Sequence, residues 1–160
     1  MDVSNTTFRE VMAGVATPVT VVTAMDGDRP HGTTVSAFAS LSMTPPMVLV
    51  ALDRESDLLT VIRSCRRFGV NVLASNQATL ALAFARKGSG KFAEVPYEVQ
   101  DGLPRIRQVT GWLACDLTDL VDGGDHLIAL GTVTSASTPG GSPLTYHARV
   151  FGTHRALDSA

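Results

Sequence analysis

Gly32-Thr33-Thr34-Val35-Ser36-Ala37-Phe38-Ala39-Ser40-Leu41-Ser42-Met43-Thr44-Pro45-Pro46 leads straight into the apolar run Met47-Val48-Leu49-Val50-Ala51-Leu52, and the change of pattern along it decides the fold. Up to Ser36, hydroxyl and apolar residues alternate as in a strand with one wet face. Beyond Ser36 the alternation gives way to small residues, which reads as a strand opening into a binding loop. Thr33, Thr34, Ser36, Ser40 and Ser42 place five hydroxyls within ten residues. Small neighbours let main-chain N–H groups approach a ligand closely, a surface suited to phosphate or a polar heterocycle. Pro45 and Pro46 have no amide donor, so they end the loop and launch Met47 to Leu52 as a buried strand. On composition alone the same stretch also reads as a Ser/Thr-rich connection in a β protein.

Upstream, Val19 to Met25 is β-branched, and Asp26-Gly27-Asp28 signals a turn into a strand from His31 to Ser36, so a hairpin delivers the loop. Before it, Thr7-Phe8-Arg9-Glu10 reads as a capping box. It opens a short helix with Phe8, Val11, Met12 and Val15 on one face, which ends near Gly14 to Thr17 because Pro18 bars its continuation. Downstream, Ser56-Asp57 caps a helix through Leu58, Leu59 and Ile62 to Ser64, and Phe68 to Leu73 is a strand. Ser75 or Asn76 caps a second helix, Gln77 to Arg86, that Gly88-Ser89-Gly90 terminates. That glycine pair follows a helix, whereas phosphate loops precede one, so it reads as a linker. Lys91 to Pro104 has little periodicity and predicts an excursion over the rest of the domain. Trp112 to Leu117 and His126 to Val133 read as long strands flanking a turn at Asp122-Gly123-Gly124-Asp125, with a last strand expected within Ala148 to Leu157. Many short strands, two or three helices and no βαβ alternation predict one mainly β domain over residues 1–160, a closed or split antiparallel barrel.

At 160 residues, 44% hydrophobic and 18% charged, the chain has room for a core and little surface charge to hold copies apart, so burial between subunits is expected. A net charge of -2 with 6% aromatic residues provides neither a basic stripe nor a stacking platform, which argues against nucleic acid as a partner. Met1 to Thr7 has no cationic segment and no apolar h-region, and no apolar run approaches membrane-spanning length. Cys65 and Cys115 form no CxxC pattern. Together these features predict reduced thiols in a cytoplasmic protein without a membrane partner. His31, His126, His147 and His154 do not have metal-ligand spacing, so no metal is expected.

Four elements in order carry a resemblance: the hydroxyl stretch ending in Pro45-Pro46, Phe68-Gly69-Val70-Asn71-Val72-Leu73, Gly124-Asp125-His126, and Pro143-Leu144-Thr145-Tyr146. Together they resemble the flavin-reductase-like family, with its FMN-binding split barrel, over Phe8 to Leu157. The resemblance implies an antiparallel Greek-key split β-barrel that forms a homodimer. It implies a flavin reductase moving a hydride from NADPH or, more readily, NADH to FAD or FMN, and handing free reduced flavin to a partner flavin-dependent monooxygenase. The alternative is a non-catalytic flavin-binding split barrel that never meets a nicotinamide.

By the same resemblance, Thr33, Thr34, Val35, Ser36 and Ala37 line the isoalloxazine and ribityl chain, and Ser40, Leu41 and Ser42 meet the ribityl and phosphate end. Asp53 and Ser56 stand where the family's loop contacts flavin phosphate, although an acidic Asp53 repels phosphate unless a cation intervenes. Asn71 sits in an apolar strand, where an unpaired amide costs about 1 to 3 kcal/mol; it either caps a neighbouring loop or supports the flavin loop. Lys91-Phe92 resembles an Asp-Lys-Phe element with Gly90 in place of the acid, and Phe92 covers a flavin face or docks the excursion. His126 is the catalytic candidate, in contact with the nicotinamide or the flavin edge. Otherwise it is a turn histidine bonded to Asp125 or solvent. Tyr146 closes the site or anchors a subunit interface. Hydride transfer asks for a donor carbon about 3 to 3.5 Å from flavin N5 with the rings stacked, so positioning carries the chemistry.

Overall fold

The hairpin read from the sequence forms in the computed structural model, which describes residues 3–158. Met1 and Asp2 of the N-terminal reading, and Ser159 and Ala160 of the 1–160 domain, lie outside the described residues. Ahead of the hairpin come helix α1 (Asn5–Ala13) and the short strand β1 (Thr17–Pro18). Helix α1 starts one turn earlier than the capping box predicts. Ser4, in extended conformation, accepts the Thr7 amide at 3.1 Å, and Thr7 is therefore already inside the first turn.

Strands β2 (Thr20–Asp26) and β3 (Arg29–Val35) pair antiparallel, Thr20 opposite Val35. The expected loop after β3 is instead a strand. Only Ser36 and Ala37 separate β3 from β4 (Phe38–Met43), which pairs with β5 (Pro46–Asp53) through a bulge between Ser40 and Ser42. The physical reason lies in β5, whose buried Val48, Val50 and Leu52 place it between two neighbours. Small hydroxyl residues are tolerated on an edge strand, and the bulge absorbs Leu41 as the extra residue.

Helix α2 (Asp57–Cys65), strand β6 (Arg67–Val72), helix α3 (Ala78–Ala85), the hairpin β7 (Tyr97–Gln100) with β8 (Leu103–Ile106), the long hairpin β9 (Gly111–Gly123) with β10 (His126–Ser137), and the hairpin β11 (Leu144–His147) with β12 (Val150–Thr153) complete the order. The principal sheet runs β3-β2-β6-β9-β10-β5-β4, with antiparallel pairing throughout. Its two outermost strands, β3 and β4, are consecutive in the chain. A two-residue link cannot span a flat sheet of seven strands about 4.8 Å apart, so the sheet rolls up; the Ala51 amide donates to the Ala37 carbonyl at 2.9 Å, which ties that link to β5.

Rolling gives β2 two buried faces. Val22 and Ala24 join the barrel core with Leu59, Ile62, Phe68 and Val70, while Val19 and Val21 join a second cluster with Leu73, Phe84, Ile106 and Leu144 beneath α3 and β8. Gly131 makes room for Phe68, since a Cβ there would lie 2.4 Å from the Phe68 ring. Asn71 is fully buried; it donates to the Val21 carbonyl at 3.1 Å and accepts the Ile106 amide at 2.8 Å. These bonds tie β8 to β2 through Asn71.

The excursion expected over Lys91 to Pro104 contains β7 and the first half of β8, turned by Asp101 and Gly102 in the left-handed region (φ 53° and 77°). The last strand expected within Ala148 to Leu157 is only Val150–Thr153, and Ala148-Arg149 is the turn that joins it to β11.

Candidate functional site

Beside β3 lies an open cavity of about 950 Å³, in the upper range for small-molecule sites. Five parts of the fold make its wall: β3 with the Ser36-Ala37 link, the end of β5 with the loop into α2, the segment after α3, Tyr97 at the start of β7, and the start of β10. Of the residues anticipated from sequence, Thr33, Thr34, Val35, Ser36, Ala37, Asp53, Ser56, Phe92 and His126 line it. Ser40, Leu41, Ser42, Asn71 and Tyr146 are not among the lining residues of this chain. The first three belong to edge strand β4, Asn71 is enclosed beneath β8, and Tyr146 packs against Phe151 on the β11–β12 hairpin at a ring separation of 5.1 Å.

The threonines depart from the expected wet face. Thr34 donates its hydroxyl hydrogen to the Ala81 carbonyl at 2.6 Å, and Thr33 reaches the Phe84 carbonyl at 3.4 Å. Both therefore fasten α3 to β3 and present only acceptor lone pairs elsewhere. Gly32 permits that approach, because a Cβ would stand 2.9 Å from the Phe84 ring. Phe92 is wedged edge-on between Phe84 (4.8 Å) and Tyr97 (5.0 Å), which docks the segment after α3 onto the fold.

Lys91 lines the cavity as well, although the resemblance assigns it no contact with a cofactor. Its ammonium donates to the carbonyls of Gly32 and Phe84, both at 3.1 Å, at the C-terminal end of α3, where the helix dipole favours a cation. Partial burial pushes its pKa below the ordinary lysine value, and the field of Asp57 opposes that shift. The signal available in the sequence was a cation following a helix and a Gly-Ser-Gly linker. The wall is bipolar: Arg29, Arg86, Lys87 and Lys91 lie on the β3 and α3 side, and Asp53, Glu55 and Asp57 on the other.

Ser56 caps α2 in extended conformation, yet its hydroxyl makes no capping bond among the described residues, which leaves it free toward the cavity. One Asp53 carboxylate oxygen accepts the Glu55 amide at 2.8 Å and shapes the turn before it. His126 opens β10 opposite Asp53 in the strand register, and its Nδ1 lies 2.7 Å from the Asp125 carboxylate. That hydrogen bond is the main cause holding the exposed Asp125 carboxyl below its usual range. It also leaves Nε2 of His126 for a ligand. Among the described residues no cluster of three or more metal-ligating side chains occurs, and no helix is long and apolar enough to cross a membrane.

These donors suit a flavin. The outer edge of β3 and the small residues Gly32, Ser36 and Ala37 allow close main-chain approach to a ring, while Ser56, the first turn of α2 and Lys91 suit a phosphate. Comparison with known proteins agrees. The family described as the flavin reductase like domain matches residues 12–155. The reductase component of a 4-nitrophenol 4-monooxygenase/4-nitrocatechol 2-monooxygenase of Rhodococcus opacus is 40% identical over 91% of this chain and 78% of its own. A probable flavin reductase of Rhizobium meliloti is 36% identical over 96% of this chain, which spans 50% of that relative. Among solved structures, the NADH:FAD oxidoreductase of Streptomyces globisporus in complex with NAD and FAD fragments superposes with a TM-score of 0.90 at 30% identity, covering 98% of this chain and 96% of that one.

Proposed function

We propose, from the premise that this chain belongs to the flavin reductase like family, that it passes a hydride from NADH or NADPH to FAD or FMN and releases the reduced flavin to a separate monooxygenase. The observation that carries this is the convergence of the β3 edge, Ser56, Lys91 and His126 on one cavity of about 950 Å³. Bound flavin and nicotinamide supply the redox chemistry themselves, and the protein's contribution is to hold their rings face to face. In this reading the β3 edge and the Ser36-Ala37 link take the ring system. Ser56, the α2 amides and Lys91 take phosphate, and His126 meets the nicotinamide edge. The cavity is open and built from neutral hydroxyls, amides and single cations, which suits a flavin that is bound and then let go.

A homodimer belongs to the same proposal. Helix α1 buries none of its own residues and exposes Phe8, Val11 and Met12 at 57, 63 and 46%, an apolar face that a second copy would cover. The cytoplasm is the proposed compartment, in keeping with two free thiols.

The test is steady-state oxidation of NADH and NADPH with FAD and FMN in all four combinations. Steady turnover supports the reductase. Flavin binding without nicotinamide oxidation in any combination replaces it with a flavin-binding protein.

A further inference from the structure

Arg54 stands between Asp53 and Glu55, both of which line the cavity, and itself turns away to the tip of the β9–β10 hairpin. It makes three bonds there. Its amide donates to the Asp125 carbonyl at 3.1 Å, Nε donates to the Gly124 carbonyl at 2.7 Å, and Nη2 meets the Asp122 carboxylate at 2.6 Å. Asp125 in turn holds Nδ1 of His126 at 2.7 Å. One guanidinium thus joins the loop that carries Asp53 and Ser56 to the turn that aims the imidazole.

The tip has few other ties. The β5–β10 register ends at the pair Asp53 and His126, so the turn projects past its last strand neighbour, and the Asp122 and Asp125 side chains are 84 and 93% exposed. A two-stranded tip of that kind is held weakly by its own ladder. The rigid fork of an arginine fixes two directions at once, which a lysine cannot do.

We propose that Arg54 is a positioning residue for His126: it holds the Asp122–Asp125 turn against the β5–α2 loop, and so sets the distance between the imidazole and the opposite wall of the cavity. The inference rests on the reductase reading for its kinetic consequence, and on the geometry alone for its structural one. An ion pair this exposed contributes little to global stability, which separates a positional role from a merely structural one.

The experiment compares Arg54→Ala, Arg54→Lys, His126→Ala and the Arg54→Ala/His126→Ala double variant, using NADH and the better of FAD and FMN. Arg54→Ala is expected to lower kcat about tenfold, within the loss of up to about a hundredfold that misplacement of a positioned group can cause. Tm is expected to stay within about 2 °C. Arg54→Lys restores part of the rate. In the His126→Ala background, removal of Arg54 is expected to add less than about a twofold loss, because the two act as one unit. The His126 ring resonances, read by NMR without any cofactor, are expected to shift in Arg54→Ala. Unchanged ring resonances overturn the proposal, as does a full tenfold loss that persists in the double variant. Absence of turnover in the parent protein would retire the reductase reading, and the ring resonances would still decide whether Arg54 holds His126.

Discussion

The Lys91 ammonium donates to the carbonyls of Gly32 and Phe84 at 3.1 Å each, so one cation ties edge strand β3 to the last turn of α3 at the cavity wall. Because two of its three hydrogens are fixed by carbonyls, the third is pre-aimed and needs little ordering when an anion arrives.

Lys91→Met is expected to weaken flavin binding about tenfold, the scale of one charge-assisted hydrogen bond, as measured by fluorescence quenching. The lowered pKa sets the pH dependence. The charged form is disfavoured in the folded chain, so its cost to stability is fully present below the folded pKa. That cost is relieved as pH rises from there toward 10.5, while flavin affinity falls over the same window as the charge is lost. Lys91→Arg, charged throughout, is expected to remove the alkaline fall in affinity.

Asn71→Leu leaves the buried Ile106 amide without its acceptor. Urea unfolding is expected to show a loss of about 2 to 3 kcal/mol, and hydrogen exchange at Ile106 to accelerate ahead of the barrel strands. A variant as stable as the parent would mean that β8 is held by other means.

Gly131→Ala drives a methyl against the Phe68 ring, 2.4 Å from its nearest carbon. Overpacking of this kind is expected to cost about 1 to 3 kcal/mol. Phe68→Leu in the same chain is expected to recover part of it, a non-additivity that denaturant titration of the four proteins would measure.

Burial pushes the Cys115 thiol up to about 12, whereas Cys65 is only partly buried. At about pH 8 the folded protein is expected to take one alkyl group, on Cys65, and the denatured protein two, as counted by mass spectrometry. Fast double labelling of the folded chain would show that the core around Cys115 opens readily.

Much of the architecture was legible because it is local. The β-branched run ahead of Asp26-Gly27-Asp28, the apolar helix after Ser56 and the two long strands around Gly124-Asp125 all appear close to where their patterns lie. The β7–β8 hairpin was not read from the sequence, because two prolines and low periodicity masked the turn signal of Asp101-Gly102. Strand β4 was not legible, since Phe38 to Met43 has the composition of a loop and becomes a strand because β5 needs a partner on that edge. The turn at Ala148 and Arg149 was hidden for a related reason: neither residue favours the left-handed backbone it adopts (φ 50° and 63°).

In the site, His126, Ser56 and the residues from Thr33 to Ala37 could be named through the family resemblance of the motifs that hold them, and all of them line the cavity. Which hydroxyl meets a ligand and which meets a helix could not. The residue order by itself determined a mainly antiparallel domain with a small-residue strand beside its binding surface. Only the rolled sheet decided that Thr33 and Thr34 donate to α3, that Lys91 reaches Gly32, and that Asn71 serves β8. Those contacts join residues 35 to 59 positions apart, and their partners are set by strand register and closure of the barrel, which no local pattern encodes.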